Sequence, residues 1–471
     1  MPAPKREIYL LSPKQYSPET IAVAFAKTSR SPESFREIAA ELSDEQSAQF
    51  HEKWVVGYGH ASVAEHAVLH LAIENASRLA MEAIESNRLA SYTEKSTRYQ
   101  KWDCDNFHTP AELEGHPLRE EYVSVCRMLF ETYQASLQPV RSLVQKQSPR
   151  RENESEEAWD RRIRSQYVDS CRFLLPAASL ANVGMTANGR VLENAIRKWR
   201  SHGLAEVREI GQAVKQVAQG EIPTLVKYAE PVEYLIETSN ELNNLAKNRK
   251  SQIENRKSDD FCVLVDYDPA EEQKVLAAAL YRFGNMSYSQ ALQAVNSAGP
   301  ETLAETLLSR LGRFDTPLRE LEHTTYTFDL MMDQGAYAEF KRHRMMTQTP
   351  QIQTAALGYA TPRRIVEAGF GEEYRRAMDT AWAFWEKLHD FHPLVAQYVV
   401  PNGFYRRVLA TFNLREAYAF CQLRAASNAH FSIRKIAQRV AEEIQRVHPL
   451  LSKYMKLPAE PWQDIQKGFF A

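Results

Sequence analysis

Alternation of apolar and polar positions recurs along this chain in a way that lays two similar halves end to end. Tyr326, Phe328 and Leu330 alternate with Thr325, Thr327 and Asp329, the period of a strand with one face buried. In the first half Ala76, Leu79, Ala80, Ala83 and Ile84 fall at helical spacing, predicting a helix that runs up to the turn Ser86-Asn87-Arg88. The matching segment of the second half runs up to Arg342-His343-Arg344. Short apolar runs at 8–11 and 262–265 predict an opening strand for each half, followed by helices that start at Pro18 and Pro269. Segments 205–214 and 432–441 predict closing helices, and Ile433, Ile436, Ala437, Val440, Ala441 and Ile444 make one apolar stripe in the latter.

Polar landmarks repeat at the same intervals. Gly59-His60-Ala61-Ser62 leads to Glu65-His66, and Glu322-His323 stands at the matching place later. His66 precedes Arg88 by 22 residues and His323 precedes Arg344 by 21. Arg172 precedes Asn188 by 16 residues, and Gln397 precedes Asn413 by 16. The chain therefore reads as a tandem duplication: a first repeat over 1–237, a polar linker over 238–260 and a second repeat over 261–471. Within the first repeat, 101–165 is an excursion whose mixed charges, dense over 148–164, read as a solvated helix face. Arg406-Arg407 and the basic residues of the linker also read as solvated surface.

Composition narrows the partners. A length of 471 residues allows two or three full cores, and 44% apolar with 25% charged residues is an ordinary globular balance. A net charge of −2 and the lack of basic residues interleaved with aromatics argue against a nucleic-acid partner. No apolar run approaches the roughly 18 residues of a membrane span, and no apolar leader follows the basic start. Five scattered cysteines without a C-x-x-C pair suit free thiols in a reducing cytoplasm. His51, His60, His66 and His70 lack carboxylate or thiolate companions at ligand spacing, so no metal site is expected.

Both repeats resemble the flavin-dependent thymidylate synthase family, whose signature runs approximately R-H-R-x-x-S-x-N-E-x-S-x-R-Y after a G-H-x-S-x-x-E-H element. The first repeat carries the second element at 59–66 and then Ser91, Glu94, Ser96, Arg98 and Tyr99; the second carries Arg342-His343-Arg344. The resemblance covers nearly the whole chain. It implies an α+β fold in two tandem copies, each with helices packed on a mixed sheet. It also implies FAD as cofactor, methylenetetrahydrofolate and NADPH as co-substrates, and methylation of dUMP at C5 to give dTMP. Family members are homotetramers, so a homodimer of this chain would form a pseudo-tetramer.

The repeats keep opposite halves of the family site. The first retains Glu94, Ser96, Arg98 and the pre-proline Arg172, while its R-H-R has become Ser86-Asn87-Arg88. The second retains R-H-R and the late Arg424, while the E-x-S-x-R positions are Pro350, Ile352 and Thr354 and the pre-proline Arg is Gln397. One composite site with a silent reciprocal is the expectation. By resemblance Arg424 is catalytic, stabilising charge on the uracil. Glu94, Ser96, Arg98, Arg172, Glu339 and Arg342 hold the nucleotide, with arginine forks suited to its phosphate. His323, Thr325, Arg342, His343, Arg344, Glu94, Asn413 and Arg415, with Asn188 and Arg190 as counterparts, hold the flavin.

Departures are present as well. The late Arg position of the first repeat falls on Lys198 or Trp199, and a family histidine six residues after the late Asn is Asn194 or Ala419. Glu339 replaces a family Gln near the nucleotide, and its carboxylate would repel phosphate unless paired with Lys341 or an Arg. The alternatives are a flavoenzyme of this fold acting on another pyrimidine nucleotide, such as UMP, or a flavin- or nucleotide-binding remnant. Whether the composite site forms within one chain or between chains stays open. The Glu-His pairs also read as buried structural pairs.

Overall fold

The computed structural model describes residues 7–57, 61–98, 102–247, 261–312 and 315–471. Gly59, His60, Tyr99 and the 248–260 part of the linker lie outside them. The first repeat runs α1 (Pro18–Lys27), β1 (Val68–Ser77), α2 (Arg78–Glu85), β2 (Ser91–Glu94), α3 (Leu118–Gln147), α4 (Glu156–Cys171), β3 (Leu180–Asn188), α5 (Gly189–Arg200), α6 (Ala205–Ala218) and α7 (Glu233–Lys247). The second runs β4 (Cys262–Tyr267), α8 (Glu271–Phe283), β5 (Tyr326–Asp333), α9 (Gln334–Phe340), β6 (Thr347–Pro350), α10 (Gly371–Phe391), β7 (Tyr405–Phe412), α11 (Leu414–Arg424) and α12 (Phe431–Val447). The fold is α+β, in two copies of one plan.

The same local chemistry starts equivalent helices. Asn188 and Asn413 cap α5 and α11, their side-chain oxygens accepting from the N–H groups of Val191 and Glu416, each at 2.9 Å. Ser77 and Asp333 do the same for α2 and α9, accepting from Ala80 at 2.9 Å and Ala336 at 2.8 Å. The three-stranded sheet has the order β1-β3-β2 and the four-stranded one β4-β5-β7-β6. Among the described residues every strand pairing is antiparallel, where the family resemblance implied a mixed sheet. Glu94 lies opposite Val183 and Pro350 opposite Val408, so the two occupy the same register in their sheets.

Two further sequence expectations fail here. Residues 8–11 form no strand, and Ile8 and Leu10 are each 91% exposed. Four apolar residues alone carry little directional signal. The counterpart β4 is anchored by buried Phe261 and Cys262 and pairs along β5. Arg406, read as solvated, is buried over the Tyr337 ring and donates to Gln334 Oε1 at 3.0 Å, while Arg407 pairs with Asp329 at 2.9 Å. In a strand these two point to opposite faces, and both faces are occupied.

The chain packs as two compact units that do not follow the repeats. Unit 1 comprises 1–96, 107–116 and 179–252; unit 2 comprises 97–106, 117–178 and 253–471. The charged excursion is mostly the two long helices α3 and α4, and both belong to unit 2. The start of the polar linker is the end of α7. In unit 1, α5 packs along α6 and the β1-β3-β2 sheet carries α2. In unit 2, α12 lies on β4 and β5, closing a core that includes Phe328, Phe340, Phe412 and Ile436.

Within unit 2 the segments 172–178 and 397–404 join the repeats. Pro176 bridges Pro401, its own equivalent in the other repeat. Around them Ala177 N donates to Val400 O (3.0 Å) and Asn402 N to Leu175 O (3.0 Å), while Ala178 N donates to Tyr398 O (2.8 Å) and Gly403 N to Phe173 O (2.9 Å). These are two pairs of equivalent bonds about a local pseudo-twofold axis. Gly403 sits where an added Cβ would lie 2.8 Å from Tyr374 Oη and 2.9 Å from Met378 Cε.

Among the described residues no helix is long and apolar enough to cross a membrane. The five cysteines are free, four of them buried. Gly403→Ala is expected to destabilise the protein by about 1–3 kcal/mol through overpacking at the junction, read as a lower urea midpoint at unchanged slope.

Candidate functional site

The junction carries candidate site residues. Arg172 opens a short 3-10 turn after α4, and its backbone carbonyl accepts from Asn402 Nδ2 at 3.0 Å. One turn earlier on α4 lies Asp169, buried, which sequence reasoning passed over. Arg98 grips it with a two-pronged fork, Nε to Oδ1 at 2.8 Å and Nη2 to Oδ2 at 2.7 Å. Arg172 Nη2 adds a 3.1 Å contact to Oδ1, and its Nη1 donates to Thr97 Oγ1 at 3.0 Å. Burial opposes ionisation of Asp169 more than any other single effect, yet the charges around it, Arg172 first, outweigh burial and hold the carboxyl below its ordinary value. Asp169 thus ties the two guanidinium groups together.

His430, also missed, caps α12 and is fully buried. Its Nε2 lies 3.3 Å from Asp169 O, and its ring stacks 4.2 Å from Phe431 and 5.6 Å from Phe173. Burial lowers its pKa, with Arg172 adding to that effect and Asp169, Asp333 and Glu339 opposing it. His430 is thus within electrostatic reach of the first repeat's Arg172 and of the second repeat's Glu339.

On the second-repeat side, four charged or ionisable groups form a chain. Arg424, the last residue of α11, donates from Nη1 to Glu339 Oε2 at 2.8 Å and from Nε to His343 Nε2 at 3.0 Å. The other ring nitrogen of His343, Nδ1, lies 2.9 Å from Glu416 Oε1 in the first turn of α11. These partners place the proton on Nδ1. Burial lowers the pKa of His343, in keeping with a neutral ring. The open question over Glu339 has a structural answer: its carboxylate is paired with the candidate catalytic arginine.

The flavin candidates divide by what already holds them. Asn188 and Asn413 spend their side-chain oxygens on helix caps. Arg190 pairs with Glu65 at 2.5 Å and Arg415 with Glu322 at 2.7 Å, so each N-x-R arginine closes on the glutamate of its own Glu-His motif. The motif histidines are exposed, contrary to the reading as buried pairs, and His66 packs 4.9 Å from the Phe25 ring. Glu94 is nearly buried beside Arg78 at 3.0 Å. His323, Thr325 and Arg342 are exposed and Arg344 half-buried. The Glu322–Arg415 and His343–Glu416 contacts draw the start of β5 and the 342–344 turn onto the first turn of α11. The boundary between units falls between Ser96 and Thr97, so Glu94 and exposed Ser96 are described with unit 1 and Arg98 with unit 2.

The first repeat has filled the equivalent places with inert groups. Arg424 lies 11 residues after its cap Asn413, and Trp199 lies 11 after Asn188, which settles the late position on Trp199. Trp199 is 1% exposed and its Nε1 donates to Ala83 O at 3.0 Å. Beside it Arg197 pairs with Glu193 at 3.4 Å and Arg200 with Glu230 at 2.6 Å, and burial lowers the pKa of Lys198. In the second repeat Gln397, standing where Arg172 stands in the first, is buried and accepts from Gln353 N at 3.0 Å. Among the described residues no group of three or more His, Cys, Asp and Glu could hold a metal ion.

Comparison with known proteins matches the chain to the family model "Thymidylate synthase complementing protein" twice, over residues 11–224 and 263–450. A protein of Chlamydia muridarum named UPF0159 protein is 30% identical over 434 residues, 88% of this chain and 82% of its own length. A flavin-dependent thymidylate synthase of Clostridium tetani is 27% identical over 223 residues, 46% of this chain and 83% of its own. A solved flavin-dependent thymidylate synthase of Helicobacter pylori, complexed with FAD and dUMP, covers 42% of this chain and 99% of its own at 18% identity, with a TM-score of 0.31.

Burial lowers the pKa of buried His51, His343, His430 and His448 and of half-buried His202, the last to about 4. A depressed folded-state pKa stabilises the fold above the unfolded value, near 6.5, and that stability is lost as pH falls below it. The urea midpoint is expected to decline from about pH 6.5 downward, and His202→Gln to flatten the part of the decline that reaches toward pH 4.

Proposed function

This chain belongs to the thymidylate synthase complementing protein family, and from that premise we propose that it is an FAD-dependent enzyme that methylates C5 of a uracil nucleotide, dUMP, at one composite site in each chain. The observation that carries this reading is the content of unit 2. Arg98 and Arg172 from the first repeat and Glu339, His343 and Arg424 from the second stand there in one compact body, with His430 within reach of charges on both sides.

Each residue has a task in that reaction. The Arg98–Arg172 cluster, joined through Asp169, recruits the nucleotide phosphate through guanidinium forks. Arg424 offers fixed positive charge in a half-buried place where it counts for more than in water, and so stabilises electron density pushed onto the uracil. No protein nucleophile is required. Glu339 is paired with Arg424 and so gives no reason to expect repulsion of the nucleotide phosphate.

The residues available for FAD fit it in part. Exposed Arg342, Thr325 and His323, drawn to the start of α11, offer a cation and hydrogen-bonding groups suited to a diphosphate. Asn413, Arg415 and His343 support that rim from within. FAD, when bound, supplies the hydride chemistry, with methylenetetrahydrofolate as one-carbon donor and NADPH as reductant. Because the junction about Pro176 and Pro401 already makes a twofold-like contact inside one chain, a homodimer would present four family-like units as a pseudo-tetramer.

Protein mixed with FAD, NADPH, methylenetetrahydrofolate and dUMP is expected to yield a nucleotide heavier by one methylene, read by mass spectrometry. Arg172→Ala and Arg424→Ala should each lower kcat/KM by about 10²–10³, while Trp199→Phe in the first repeat leaves it unchanged. Turnover of UMP without dUMP would reassign the substrate. Unaltered nucleotide affinity in both arginine variants would sink the composite site and leave a binding remnant.

A further inference from the structure

The four-member chain Glu339, Arg424, His343 and Glu416 contains one residue that neither the sequence motifs nor the comparisons single out. Glu416 is the third residue of α11, and its carboxylate meets the ring of His343 in the turn after α9. That ring has one face of its environment fixed by Phe420, edge-on at 5.0 Å, and its backbone carbonyl accepts from Gln348 Nε2 at 3.0 Å. With both ring nitrogens engaged and the residue 7% exposed, His343 is poorly placed to touch a flavin.

The first repeat supplies an internal comparison. Counted from the equivalent caps and turns, the places of Glu339, His343, Glu416 and Arg424 are taken by Ala83, Asn87, Val191 and Trp199. The helices, the caps and the turn are kept, and all four charged or ionisable groups are gone together. Groups present or absent as a set behave as one device.

We infer that Glu416 is a positioning residue for Arg424: by accepting the Nδ1 proton of His343 it keeps Nε2 a bare acceptor, and that acceptor aims the guanidinium. The inference rests on the reading above, in which Arg424 meets the uracil. Without the carboxylate the imidazole is free to carry its proton on Nε2, where it would oppose the Arg424 N–H. Two acceptors, His343 and Glu339, fix the Nε and Nη1 sides of the group and leave Nη2 without a partner among the described residues. The charged groups facing His343 are Glu416 and Arg424 from α11 and Glu339 from α9, with Arg342 beside Arg424.

The test uses full-length Glu416→Ala and Glu416→Gln. Glu416→Ala is expected to lower kcat for dUMP by about a hundredfold with KM little changed, the signature of a misplaced catalytic group. Glu416→Gln, whose amide oxygen still accepts from Nδ1, should recover most of that loss. Its acid limb should move to lower pH, because the carboxylate that favours protonated His343 is gone. Independently of activity, nitrogen NMR of histidine-labelled protein, with the signal assigned by its loss in His343→Gln, should place the proton on Nδ1. An Nε2 proton in the wild-type protein, an unimpaired Glu416→Ala or a Glu416→Gln as slow as the alanine variant would each overturn the inference. A wild-type protein that methylates no nucleotide yet carries the Nδ1 proton would instead count against the proposed function alone.

Discussion

Everything distinctive in this fold depends on four backbone hydrogen bonds and the Pro176–Pro401 bridge between them. A residue that meets its own equivalent marks a twofold axis, and in most proteins such an axis lies between subunits. Here it lies inside one chain. Because backbone groups buried at such a contact must find partners, the paired bonds fix the register of 172–178 against 397–404. That register carries Arg172, Asp169 and His430 into a single neighbourhood.

The axis is only approximate, and the candidate site residues lie where it fails. Asn402 reaches the Arg172 carbonyl, while its counterpart Ala177 has no side chain to reach Gln397. Gln397 itself is turned inward to hold Gln353 N. On the first-repeat side a tryptophan bonded to a backbone carbonyl stands where the second repeat places an arginine bonded to a glutamate. An apolar ring in the core stabilises its unit, whereas a half-buried arginine needs acceptors to offset its desolvation. Each repeat has thus become scaffold where the other remains chemical.

Much of this was legible in the sequence because it rests on short-range rules. Strand alternation over 326–330 and the helix running up to residue 85 are local, and the structure has them. The duplication was legible because equal spacings survive divergence. The strand over 8–11 was misread because a strand exists only if a sheet edge receives it, and a four-residue pattern says nothing about that. Arg406 was misread because a charged pair in a strand looks solvated until the cross-strand neighbours are known. Asp169 and Glu416 could have been found, lying three residues from Arg172 and Asn413 on helices. His430 had no local signal as a candidate site residue, since the Asp169 and Phe173 it meets are more than two hundred residues away in sequence.

Segments 97–106 and 117–178 belong to the first repeat by sequence and to unit 2 by packing. A subunit that borrows part of its neighbour must find that neighbour by collision, and loses it on dilution. A covalent chain replaces that encounter by a fixed effective concentration set by the length of the tether. The two arginines on Asp169 and the one on Glu339 therefore stay in one compact unit at any protein concentration. A chain made in small amounts keeps these groups together as surely as one made in abundance.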